Sequence, residues 1–114
     1  MTVFIKRAYE PADAGDGRRI LVDRLWPRGV NRDDLAVDLW LKEVAPSAEL
    51  RKWFGHEAAK WPEFQRRYRT ELDGSEAFAE LEQAARGHKV TLVYAARDVE
   101  HNNAVVLQQL LAGA

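Results

Sequence analysis

Two short stretches hold the residues best suited to chemistry in this chain. "VDRLWPRG" carries Asp23, Arg24, Trp26 and Arg28, and "TLVYAARDVEHNN" carries Arg97, His101, Asn102 and Asn103. Arginine offers a planar fork of donors that matches a carboxylate or a phosphate. Histidine changes charge near neutrality and can give or take a proton there. An apolar strand precedes each stretch, and ligands of open α/β sheets collect beyond the carboxyl ends of strands. If both strands end at one place, these eight residues line a single cleft for a small anion. Arg28 and Arg97 would then clamp the anion, His101 would donate or shuttle a proton, and Asn103 would orient the ligand. The same residues admit a structural alternative. Asp23, Arg24, Arg28 and Arg97 would equally form an ion network that locks two loops, with Asp98, Asn102 or Asn103 capping the last helix.

Other chemistry is poorly supported. The chain has no cysteine, which removes disulfides, thiolate zinc sites and thiol nucleophiles together. "HEAAK" opens like a zinc-protease helix, but Lys60 stands where the second imidazole belongs, so no metal site is expected. There is no G-x-S-x-G elbow. "GDG" at Gly15 and Gly17 lacks the third glycine of a dinucleotide loop, and no cofactor is expected.

"QRRYRTEL" raises a second function, a non-catalytic module that binds nucleic acid or a protein partner through Arg66, Arg67 and Arg69. Tyr68 within it belongs to an apolar stripe with Trp61, Phe64 and Leu72, which favours a solvated helix face. The formal net charge of −1 also argues against a dedicated nucleic-acid binder.

The elements that must position these residues follow from pattern and punctuation. The 114 residues suffice for one domain, residues 1–114, and the 46% hydrophobic share suits an ordinary globular core. "VFIKRAY", "RILVDRL" and "KVTLVYAA" read as strands, the second with a continuous apolar centre that implies burial on both faces. "LAVDLWLKEV" alternates at Leu35, Val37, Leu39 and Leu41, which predicts a further strand. Trp26 to Gly29 predicts a type I turn, with Pro27 second and Gly29 fourth, and Asn31 caps a short helical turn. Ser47 and Gly55 bracket one helix, Pro62 to Gly74 a second, Ser75 to Gly87 a third, and "HNNAVVLQQLLAG" closes as a fourth. Interleaved strands and helices predict an α/β fold, a mixed sheet of about four strands covered by helices. Lys6 comes too early for a signal peptide and no run is long enough to span a membrane, so a cytoplasmic protein is expected.

The blocks "VDRLWPRG", "DLWLKEVAPS", "LRKWFGH" and "TLVYAARDVEHNNAVVL" resemble the YeaO-like group of small bacterial proteins, domain of unknown function 488, nearly end to end. The resemblance implies a compact α/β domain and no established substrate. A broader branch of that superfamily carries cysteines and a Cys-His-Arg run at the last strand–helix junction. Here Tyr94 holds the strand-end position and Asn102, Asn103 and Ala104 replace Cys-His-Arg, while Glu100 and His101 look retained. Cysteine chemistry therefore does not carry over to this chain.

Overall fold

Four parallel strands lie in the order β1-β4-β2-β3: β1 (Thr2–Arg7), β2 (Arg18–Leu21), β3 (Leu39–Trp40) and β4 (Lys89–Tyr94). The computed structural model describes residues 2–113. The α/β class expected from the sequence holds, and the sheet is parallel in every pairing, which is narrower than the mixed sheet anticipated. Parallel strands need covered faces, and successive side chains of β2 and β4 supply both coverings. Ile20, Val22 and Leu92 join the larger core, while Leu21 and Val93 join a smaller one with Ala8 and Leu35. Neighbouring residues point to opposite faces, so the unbroken apolar runs are what a doubly covered strand requires.

Helices cover the larger core. α1 (Arg32–Leu35) is a single turn on the other side; α2 (Ala48–Phe54), α3 (Trp61–Leu72), α4 (Glu76–Ala85) and α5 (Asn103–Ala112) follow. Ser47 caps α2 by accepting from the Leu50 N–H, and Gly55 ends it in the left-handed conformation. Ser75 and Asn102 cap α4 and α5 in the same way. The stripe of α3 is buried at Phe64, Tyr68 and Leu72, with Trp61 packed at its edge. The Tyr68 hydroxyl, fully buried, donates to the Val44 carbonyl at 2.5 Å.

Two expectations change. The strand anticipated over residues 35–44 shrinks to Leu39–Trp40, flanked by α1 and by a 3-10 turn at Lys42–Val44. Leu35 is held in the helical turn because its carbonyl accepts two bonds from the buried Arg19 guanidinium, at 2.7 and 3.0 Å. At the far end, Val44 turns inward to meet Tyr68. Tertiary hydrogen bonds thus override an alternating pattern. The second change is a one-residue shift of the proline turn. Val30 N–H donates to the Pro27 carbonyl and Gly29 sits at φ 80°, the third position of a type II turn rather than the fourth of a type I.

Gly17 joins the 3-10 turn at Ala14–Asp16 to β2 at φ 67°, and a Cβ there would lie 2.3 Å from the Lys89 carbonyl oxygen. Replacing Gly17 by Ala combines backbone strain with a backbone clash. The Gly17→Ala variant is expected to lose at least about 2 kcal/mol in urea unfolding. A loss below about 0.5 kcal/mol would show that β4 yields at that contact.

Candidate functional site

Beyond Leu21 the chain turns away toward β3, whereas beyond Tyr94 it leads into α5, which packs on β1 and β4. The two exits diverge from adjacent strands, which is the topological switch point where open parallel sheets take ligands. A cleft of about 380 Å³ opens there.

Asp23 fastens its floor. One carboxylate oxygen accepts the Ala95 N–H at 2.9 Å and the other accepts the Asn103 amide at 3.2 Å. Asn103 donates also to the Val22 carbonyl at 3.0 Å. The Asp23 carbonyl takes the Trp40 indole N–H at 2.8 Å. One residue therefore joins the ends of β2 and β4, the start of α5 and the edge strand. Burial raises the Asp23 pKa above its ordinary 3.8, while the two hydrogen bonds and the positive charge of Arg51 oppose that rise. Arg7 holds the neighbouring backbone by donating to the Ala96 carbonyl at 2.8 Å and the Ala95 carbonyl at 3.2 Å.

The loop before α5 is organised by Asp98. One of its carboxylate oxygens accepts the backbone N–H groups of Glu100 and His101, and the other meets His101 Nδ1 at 2.8 Å. The imidazole is thereby oriented, with Nε2 as its remaining ring nitrogen, and its ring lies edge-on to Trp61 at 5.2 Å. The hydrogen bond from His101, first among several, holds the Asp98 carboxyl below its ordinary 3.8. Asn102 is buried; its oxygen accepts from Val105 N–H and its amide donates to the Asp98 carbonyl.

Seven of the eight residues expected from the sequence line the cleft: Asp23, Arg24, Trp26, Arg28, His101, Asn102 and Asn103. Arg97 does not; it stands exposed in the loop after β4 and outside the lining, so the pairing of Arg28 with Arg97 is replaced. Arg51, on α2, is the third arginine of the lining, with Arg24 and Arg28. Asn103 is turned inward to Val22 and Asp23, serving the floor rather than an open position. The ion network is not formed either. Neutral donors hold the Asp23 carboxylate, and Arg24 pairs with Glu43 at 3.6 Å across the surface. The Arg24 Nε is buried with no acceptor. Trp26 is fixed by its indole N–H on the Val30 carbonyl at 2.6 Å and by an edge contact to Trp40.

Arg51, His56 and Tyr9 were not foreseen. Arg51 is an exposed residue of an amphipathic helix, and its local sequence carries no sign of a site. His56 follows the glycine that ends α2 and adopts φ 59°, rare for a side-chain-bearing residue and not announced by its sequence. Two left-handed residues in succession bring the imidazole back to the cleft. Tyr9 donates its hydroxyl to the Arg28 carbonyl at 3.1 Å and so steadies the proline turn.

The lining thus sets three guanidinium groups against one carboxylate, and it includes no serine, threonine, cysteine or lysine. Among the described residues, no cluster of histidine and carboxylate groups could hold a metal ion. The basic face of α3 is largely engaged. Arg66 and Arg67 both donate to Glu63, Arg67 stacks 4.2 Å above Trp53, and Arg69 donates to Gln109. Among the described residues, no helix is long and apolar enough to cross a membrane.

The two carboxyls should titrate on opposite sides of their shared ordinary value. Carboxyl-carbon NMR is expected to place the Asp23 midpoint above 3.8 and the Asp98 midpoint below it. With its folded value raised, Asp23 binds more protons in the native state just above pH 3.8. Its contribution to stability therefore falls as pH rises through that window. Asp98 behaves in reverse, its contribution being lost as pH falls through its lowered value. His101→Ala should return Asp98 toward 3.8 and leave Asp23 in place; coincident midpoints in the parent would contradict this geometry.

Comparison with known proteins agrees with the fold-wide resemblance. A family model described as the inactive DUF488-N3 subclade matches residues 2–114. An uncharacterized protein of Mycobacterium tuberculosis and another of Mycobacterium bovis are each 48% identical over 111 residues, covering 97% of this chain and 94% of theirs. The uncharacterized protein YeaO of Escherichia coli is 45% identical over 112 residues, covering 97% of both chains. No solved structure matches the chain.

Proposed function

Since this chain belongs to the YeaO-like DUF488 family, in the branch described as inactive, we propose that it is a binding domain whose switch-point cleft takes a small anionic ligand without covalent catalysis. The observation that carries this reading is the set of three arginines, Arg24, Arg28 and Arg51, around a cleft whose one carboxylate is already held by Ala95 and Asn103. Guanidinium groups without a carboxylate partner attract anions, and the electrostatic gain is larger at a partly closed site. Arg28 and Arg51 form no ion pair among the described residues, so nothing must be displaced before they engage a ligand. His101, oriented through Nδ1 by Asp98, would contribute a hydrogen bond from Nε2. With Nδ1–H given to Asp98, a proton on Nε2 makes the ring cationic, and such a ring suits a negative ligand.

Covalent chemistry lacks its parts. The one hydroxyl on the cleft wall is that of Tyr9, which donates to the Arg28 carbonyl. The Asp23 oxygens are occupied by structural donors. An imidazole without a nucleophile beside it supports recognition more readily than turnover, in keeping with the description of the subclade.

Thermal unfolding in inorganic phosphate tests the reading, with chloride at matched ionic strength as the reference. At phosphate tenfold above Kd the native state gains about 1.4 kcal/mol, roughly 5 °C in Tm for a domain of this size. Arg28→Ala and Arg51→Ala are expected to fold normally, both positions being exposed, and to lose most of that rise. A parent with no phosphate-specific rise, or variants that keep it in full, would overturn the proposal.

A further inference from the structure

The cleft is graded from mouth to floor, and the gradient identifies the kind of anion. Of its arginines, Arg28 and Arg51, with His56, are exposed at the mouth, and Arg24 is half-buried. Apart from Asn102, its buried lining is apolar: Phe54, Phe64, Ala45, Pro46 and Pro27. Polar groups do reach the floor at Asp23, Asn102 and Asn103, but their hydrogen bonds are made within the protein. These three satisfy one another and the backbone, and the buried donor of the lining left without an acceptor is the Arg24 Nε.

Volume points the same way. About 380 Å³ falls within the roughly 300–1,000 Å³ typical of small-molecule sites. An inorganic oxyanion held at the mouth would leave most of that space and its aromatic wall uncovered. Phe54 and Phe64 are stacked on each other with centroids 4.3 Å apart, which gives the interior a fixed apolar side. Trp26, locked by Val30 and Trp40, adds a further aromatic surface.

Resting on the anion-binding reading above, we infer that the ligand is an organic anion with a compact apolar body, aromatic or branched aliphatic. It enters body-first against Phe54 and Phe64 and leaves its charged group at the mouth with Arg28 and Arg51. The charged group is a phosphate monoester or a carboxylate, since both match the guanidinium fork. A neutral apolar molecule lacks the head that the mouth selects, and a bare anion lacks the body that the interior selects.

The experiment compares Kd by NMR titration for inorganic phosphate, methyl phosphate, phenyl phosphate and benzoate with the full chain. Methyl and phenyl phosphate share one head and differ in body, so their ratio isolates the interior. A ring need lose only about 60 Å² of exposure to gain tenfold. Phenyl phosphate is expected to bind at least tenfold tighter than methyl phosphate, and to shift the Ala45 and Ala96 methyl resonances by its ring current. Benzoate is expected to produce the same methyl shifts with an affinity set by its single charge. Phenyl phosphate less than tenfold tighter, or ring-current shifts elsewhere on the surface, would overturn the inference while leaving the anion site standing. If none of the four binds, the anion-binding reading itself falls, and this inference with it.

Discussion

The Asp23 carboxylate is the tie on which the site's geometry depends. It lies just past the end of β2, accepts from the backbone of Ala95 past the end of β4, and accepts from Asn103 at the first turn of α5. Those segments are 72 and 80 residues away along the chain, yet each contributes a wall of one cleft. Burying a carboxylate is costly unless donors meet it, and here the donors are neutral and fixed. The consequence for function is indirect. Because Asp23 is satisfied by amides, the arginines around it are not consumed as counter-ions.

That division between neutral structural bonds and unspent charges runs through the whole edge of the sheet. Asp98 is met by backbone N–H groups and an imidazole, Asn102 by Val105 and the Asp98 carbonyl, and Trp26 and Tyr9 by carbonyls of the proline turn. At the opposite end of β2, charge serves structure instead. Asp16 receives Lys6 and the buried Arg19, and Arg19 in turn holds the Leu35 carbonyl. A single small domain thus uses guanidinium groups as internal fasteners at one place and keeps them solvated and available at another.

Much of this organisation was legible in the sequence because it rests on local rules. Ser47, Ser75 and Asn102 cap helices by side-chain geometry that depends on a few neighbouring residues. The doubly buried β2 and β4 declare themselves through unbroken apolar runs, whereas the convergence of their ends follows from a parallel pairing that those runs do not specify. The failures are non-local. Leu35 to Val44 alternates like a strand, yet Arg19 and Tyr68 bind its two ends into turns. Arg97 sits in the expected loop but outside the cleft, whereas Arg51 arrives from α2, whose sequence shows only an amphipathic helix. Which exposed arginine meets a cleft depends on how helices dock, and that is decided by the packing of Phe54, Phe64 and Leu107.

A crystal structure grown in phosphate would show the arginine charges and the Asp23 tie together. An ordered oxyanion is expected within hydrogen-bond reach of Arg28 and Arg51, with Asp23 still bonded to Ala95 and Asn103. A cleft without an anion, in which Arg51 or Arg28 has swung in to pair with Asp23, would contradict it. The arginines would then be internal counter-ions, and the cleft would have no electrostatic reason to bind an anion.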